Sequence, residues 1–269
     1  MTPSSADNPF AHMDDVPESL QQQLVDYLDA MAEHREMRRI RARALEMFAP
    51  AAGERLLDAG CGLGEVARQL GARVGPTGSV VAVDRSEQLV AAARSRHDGG
   101  PVEYTVGDVT ALDFPDGHFD GVRCERVLQH LSDQDAAIKE FARVTRPGGR
   151  VCVIDTDWSS STGSGFAYLD EVVAHCDSNL HDQVSGRVIG ARMVDAGLQE
   201  VVAHPLTFRC VSAADAARVA LFFDRSLMRA RLPVELYERF FASVDEADER
   251  GDFVYCFTMY ACLGRVVSG

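Results

Sequence analysis

The sequence predicts an α/β fold: a doubly wound sheet of seven strands, mostly parallel, with an antiparallel last strand and a helical lid. Three observations carry this reading. From residue 50 to residue 157, short apolar runs alternate with helix-forming segments, the pattern of βαβ units around a parallel sheet. Two of those runs, Leu56-Leu57-Asp58 and Val80-Val81-Ala82-Val83-Asp84, end in an acid. The stretch 253–267, rich in aromatic and β-branched residues, supplies a closing strand after a helical insertion.

The elements follow in order. Residues 1–16, rich in Pro, Ser, Asp and Asn, are expected to be mobile. Over 17–48 the apolar positions Leu20, Leu24, Tyr27, Leu28, Met31, Met37, Ile40, Ala44, Leu45 and Met47 suit one or two amphipathic helices, an N-terminal cap. Residues 49–269 form the main domain, with lid insertions at 158–183 and 212–250. Strands are expected at 54–58, 79–84, 102–109 and, after the turn Phe114-Pro115-Asp116-Gly117, up to Cys124. A helix over 133–145 has Ser132 as its N-cap, and a fifth strand follows over 146–155. The Ser/Gly-rich run 159–165 reads as a flexible loop. Beyond it come a helix over 184–197, a strand over 200–210, and helices over 212–230 and 233–249.

The chemistry concentrates in Asp58-Ala59-Gly60-Cys61-Gly62-Leu63-Gly64. Glycines at alternate positions let a strand-to-helix loop turn sharply and approach a ligand closely. Unpaired N–H groups at the start of the next helix then face that ligand. The site suits a nucleotide-type cofactor, but a dinucleotide fingerprint places its third glycine one residue later. Asp84, closing the second strand, can accept hydrogen bonds from both hydroxyls of a ribose.

The run Val102-Glu103-Tyr104-Thr105-Val106-Gly107-Asp108-Val109 and the segment Arg146-Pro147-Gly148-Gly149 complete an ordered set of motifs over 54–157. Together they resemble the class I S-adenosylmethionine (SAM)-dependent methyltransferases, whose sheet is Rossmann-like. The chain is similar to the small-molecule methyltransferases of bacterial quinone and natural-product pathways. The resemblance covers residues 45–210 and the last strand. It implies SAM as cofactor and S-adenosylhomocysteine (SAH) as product, with Asp58, Gly60, Cys61, Gly62, Gly64, Asp84 and Arg85 in the binding site. It also implies that Gly107, Asp108 and Val109 meet the adenine, Asp108 through its amino group, and that Cys124 and Glu125 lie beside the methionine part. Arg38 or Arg39, in the run Arg35, Arg38, Arg39, Arg41 and Arg43, is expected to reach the cofactor carboxylate. Arg126 pairs either with that carboxylate or with an acid elsewhere in the chain.

A general base is expected only where the acceptor is a hydroxyl. His130 is the candidate, with a helix histidine bonded to backbone as the alternative. His175 and His181 read better as surface residues, and Asp155 and Asp157 as groups that orient the substrate or fix the lid. Substrate contacts are expected from Asp157, Trp158, His175, Phe222 and Phe223. The lid aromatics Phe222, Phe223, Tyr237, Phe240 and Phe241, with Met228, either line the substrate site or pack the lid on the sheet.

A net charge of −14 argues against a nucleic-acid substrate. The seven cysteines have no metal-ligand spacing, so no metal is expected, and reduced thiols in a cytoplasmic protein are the expectation. No apolar run is long enough for a membrane span, and a monomer or homodimer is expected. The reading is transfer of a methyl group to an O, N or C atom of a small, partly apolar molecule. The alternatives are a SAM-binding cyclase or regulator without methyl transfer, and a nicotinamide-dependent oxidoreductase, against which the glycine spacing, Gly107-Asp108 and the Arg-Pro-Gly-Gly segment speak.

Overall fold

A computed structural model describes residues 10, 12–97, 99–176 and 182–267. Seven strands form one sheet: β1 Arg55–Ala59, β2 Ser79–Asp84, β3 Val102–Val106, β4 Phe119–Glu125, β5 Thr145–Ser164, β6 Gln199–Cys210 and β7 Val254–Arg265. Their order is β3-β2-β1-β4-β5-β7-β6. β1 to β5 run parallel, and β7 lies antiparallel between β5 and β6. The order reverses between β1 and β4, and in such sheets the ligand crevice opens beyond the carboxyl ends of those strands.

Helices cover both faces, α1 being Glu18–Glu33, α2 Arg35–Phe48, α3 Glu65–Val74, α4 Glu87–Ser95, α5 Gln134–Val144, α6 Leu169–Cys176 and α7 Ser185–Asp195. Three more, α8 Ala213–Ala217, α9 Arg225–Arg231 and α10 Val234–Arg250, complete the lid. In α2 the buried residues Met37, Ile40, Ala44, Leu45 and Phe48 fall on one stripe, which seats an otherwise basic helix on the sheet. Gly121 makes room for its end, because a Cβ there would stand 2.8 Å from the Phe48 ring.

Two large apolar clusters flank the sheet, one involving α2, α3 and the lid, the other α5 and α7. A third, small cluster of Met13, Val16, Leu24, Leu63 and Leu89 holds the N-terminal cap. Met13–Asp15, within the segment expected to be mobile, form a 3-10 turn with Met13 buried. Residues 1–9 and 11, and His181, lie outside the described residues.

Several local expectations are corrected. The Ser/Gly-rich run is strand, not loop: Thr162, Gly163 and Ser164 pair with Cys256, Tyr255 and Val254 after a register shift following Asp157. Ser160 Oγ accepts from the Thr258 N–H at 2.7 Å, and the bare Gly163 leaves space that the Phe166 ring fills. A partner strand therefore overrides a composition that favours loop. The single helix expected over 212–230 is broken by Leu221–Phe223, a 3-10 turn whose Phe223 joins an aromatic cluster. The third strand stops at Val106, before Gly107.

The cap of α5 is Asp133, whose carboxylate accepts from the Ala136 N–H at 2.9 Å; Ser132 lies one residue too early. Asp133→Ala should lower stability by about 1 kcal/mol in urea unfolding, while Ser132→Ala should change it by no more than about 0.5 kcal/mol.

Candidate cofactor site

The glycine turn is shaped by contacts on both of its sides. Gly60, Gly62 and Gly64 all have positive φ, at 78°, 51° and 75°. A Cβ on Gly60 would stand 2.1 Å from Val127, and one on Gly64 would stand 2.6 Å from the Tyr104 ring. At Gly62 nothing lies within 4 Å, so this part of the turn faces open space. The Gly60 and Cys61 N–H groups donate to Val83 O at 2.7 and 2.9 Å, which ties the turn to the end of β2.

That space is a cavity of about 670 Å³ at the carboxyl ends of β1, β2 and β4. Among the residues expected at the cofactor, Asp58, Gly60, Cys61, Gly62, Asp84, Arg85, Gly107, Asp108, Val109, Glu125 and Arg38 line it, as does His130. Gly64 and Cys124 do not line it. Gly64 is the N-cap of α3, and Cys124 is fully buried in β4, where burial pushes its thiol well up. Arg39 turns away and bonds Glu36 and Thr207 O.

Each acid has a distinct setting. Asp84 Oδ2 accepts from the Gly62 N–H at 2.8 Å and Oδ1 from the Ser86 N–H at 3.1 Å. Those two bonds orient its carboxylate, and burial raises its pKa. Asp108 Oδ1 accepts from both the N–H and the hydroxyl of Thr110, at 2.8 and 2.7 Å. Asp58 is 2% exposed, and its Oδ2 is buried without a hydrogen-bond partner among the described residues. Burial pushes Asp58 up to about 7, against the pull of Arg123 beside it in β4.

Glu125 is the opposite case. Burial pushes its carboxyl up, but Arg41 and Arg123, at 2.8 and 2.5 Å, outweigh this and hold it down at about 2. Arg41 also reaches Glu65 at 2.6 Å. The arginine reaching these acids from α2 is thus Arg41, already committed to two carboxylates, while the exposed Arg38 lies on the cavity wall.

His130 is positioned through its neighbours. Trp158 Nε1 donates to Gln129 Oε1 at 2.8 Å, which leaves the Gln129 amide nitrogen to face His130 Nε2 at 3.1 Å. That amide can only donate, so His130 Nε2 accepts and the neutral ring carries its proton on Nδ1.

The expected substrate residues fall elsewhere. Asp157 is buried and paired with Arg187 at 2.7 Å. Trp158 stacks on Phe257 and meets Phe222 edge-on, and Phe223 packs with Phe166, Phe240 and Tyr255. His175 is exposed on α6, bonded to Glu171 O. None of the five lines the cavity, because the lid aromatics join α10 to the far ends of β5 and β7. Instead the N-terminal segment contributes Phe10, His12, Leu28, Asp29, Ala32 and Glu33. The apolar spacing of 17–48 revealed the helices, but nothing in it showed which face they turn to the cavity.

Among the described residues, one His/Cys/acid group has ligand atoms close enough for a metal, namely His34, Cys210 and Asp215, within 4.8 Å of one another. His34 Nδ1 accepts from the Glu36 N–H, so in the neutral ring Nε2 carries the proton and donates to Asp215 at 2.9 Å. The trio brings together the N-cap of α2, the end of β6 and α8.

Comparisons with known proteins bear on the family and the fold. A methyltransferase-domain family model matches residues 57–153. The ubiquinone/menaquinone biosynthesis C-methyltransferase UbiE of Pseudomonas putida is 30% identical over 186 residues, covering 61% of this chain and 72% of that protein. The chain belongs to the class I SAM-dependent methyltransferases. An uncharacterized 37.1 kDa protein in transposon TN4556 of Streptomyces fradiae is 36% identical over 200 residues, 71% of this chain. The match spans 57% of that relative's length. In fold, the chain resembles the YcgJ protein of Bacillus subtilis, with a TM-score of 0.59 at 21% identity, covering 85% of this chain and 98% of that one. No helix among the described residues is long and apolar enough to cross a membrane.

As a methyltransferase of this family, the chain offers a site whose residues fit the cofactor. Gly62 leaves open space, and the unpartnered Asp58 oxygen suits the ammonium of an amino-acid end. With Asp58 raised to about 7, the free protein carries it protonated below that pH, and a cationic ligand needs it ionised. SAH affinity should therefore strengthen about tenfold from pH 6 to pH 8 in calorimetric titration. Asp58→Asn should flatten that profile and weaken binding.

Proposed function

We propose that this protein transfers the methyl group of SAM to an O, N or C atom of a small, partly apolar molecule by in-line displacement. One observation carries the reading. A single cavity gathers three acids, Asp58, Asp84 and Asp108, around an open glycine turn, each at or just past the end of a different strand.

Their settings suggest their roles. Asp58 accepts from the amino-acid ammonium. Asp84, oriented by two backbone N–H groups, has lone pairs left for both ribose hydroxyls. Asp108, oriented by Thr110, receives the adenine amino group, with the Val109 N–H at the ring. Bound SAM supplies an activated methyl on a positively charged sulfur.

The chain's own contribution is then chiefly to hold the acceptor in line and exclude water. Proximity and orientation supply roughly 7–11 kcal/mol of such a barrier. Phe10, Leu28, Ala32 and Leu131 give the cavity an apolar wall suited to a small organic acceptor. His130 is the candidate base for a hydroxyl acceptor. Its Nε2 lone pair is engaged by Gln129, so it takes a proton only when that amide lets go. Orientation therefore ranks above base catalysis here.

Native mass spectrometry and titration with SAM, SAH and NAD test the reading. Micromolar binding of the first two without NAD, followed by SAH formation with a methylated acceptor, is the expected result. Binding of SAM with no methyl transfer to any acceptor would instead leave a SAM-binding protein. Asp84→Ala should weaken SAH binding by about 10- to 100-fold, since two buried donors lose their acceptor at about 1–3 kcal/mol. Unchanged affinity in that variant would show that the ribose does not sit at Asp84.

A further inference from the structure

Arg126 stands on the cavity wall with φ at 58°, a conformation that side chains other than glycine rarely adopt. Its N–H donates to Ile154 O at 2.8 Å, so β5 fixes this turn just past β4. Glycine would sit there without strain. An arginine in this turn thus points to a use for its side chain.

That side chain is held ready. Its guanidinium lies 5.7 Å from the centre of the Tyr27 ring, and Nη2 donates to the Tyr27 hydroxyl at 3.2 Å. The Tyr27 hydroxyl donates in turn to Val219 O at 2.8 Å, so the support itself is anchored. Among the described residues no carboxylate comes within the 4.0 Å of an ion pair with Arg126. Arg41, on the same wall, shows the contrast: Glu65 and Glu125 occupy it from both sides. A half-buried guanidinium with most of its five donors available is a receptor for a planar anion.

We propose that Arg126 is the anion-receiving residue of this cavity, binding a carboxylate of a molecule held there. The inference rests on the cofactor reading above. The carboxylate belongs either to the amino-acid end of the cofactor or to an acidic acceptor, and the two sources separate by experiment.

Wild type, Arg126→Met and Arg126→Gly are titrated with SAH and with 5′-methylthioadenosine, which keeps the nucleoside and thioether but lacks the amino-acid end. Benzoate and benzamide are then titrated into the SAH-saturated proteins. A loss of at least about tenfold in SAH affinity in both variants, with methylthioadenosine unchanged, assigns Arg126 to the cofactor carboxylate. Unchanged SAH affinity, with benzoate but not benzamide bound by wild type and lost in both variants, assigns it to an acidic acceptor. SAH affinity unchanged and no benzoate binding that depends on Arg126 overturns the proposal. Arg126→Gly relieves the backbone and should melt no lower than wild type, so a loss of affinity there is not a loss of fold. Wild type that ignores SAH would sink the cofactor reading rather than this one.

Discussion

A chain of alternating charge runs through the buried base of the site: Glu65, Arg41, Glu125, Arg123 and, beside Arg123 across β1 and β4, Asp58. It ties α2 and α3 to the ends of β1 and β4, where the strand order reverses and the cavity opens. Arg123 is fully buried, and such a charge is tolerable only while its counter-charge is held beside it. Removing one member leaves the next as an unpaired buried ion, which costs more than the pair contributes. The same network sets the two acids apart, holding Glu125 ionised by two guanidiniums and leaving Asp58 poised near neutrality.

Around that base the cavity has a firm side and a looser one. The sheet ends and the glycine turn are braced by backbone hydrogen bonds and the two large apolar clusters. The N-terminal cap has a small apolar cluster of its own and a row of polar links to α4. Asp14 accepts from the Ser86 hydroxyl and the Glu87 N–H, Gln21 meets Gln88, and Asp29 pairs with Arg96 through both of its oxygens. Segments held by few apolar contacts and exposed polar links open at lower cost than the core.

The aromatic lid packs on itself and on the sheet, one of the two readings its composition allows. Phe166, Phe223, Phe240 and Phe253 pack with one another, and Trp158 reaches the site only through the Gln129 amide it orients. The cavity is walled instead by the cap, the segment after β4 and the glycine turn.

The sequence by itself determined the α/β sheet, the order of its motifs and the acids at the strand ends. Period, glycine spacing and strand-end acids are local signals that need no partner to be read. Asp58, Asp84 and Asp108 were legible because a strand end, a turn and a carboxylate stand adjacent in the chain. Only the tertiary structure decided the rest. It made strand of residues 162–164 because β7 runs beside them, and it assigned the cap of α5 to Asp133. It also turned α1 toward the cavity and Phe222 and Phe223 away from it. Arg41 is met by two carboxylates from elsewhere in the chain and Arg126 by the Tyr27 hydroxyl, which their neighbours in the sequence do not announce. That is a property of packing, which brings together residues such as Arg41 and Glu125 that no local spacing relates.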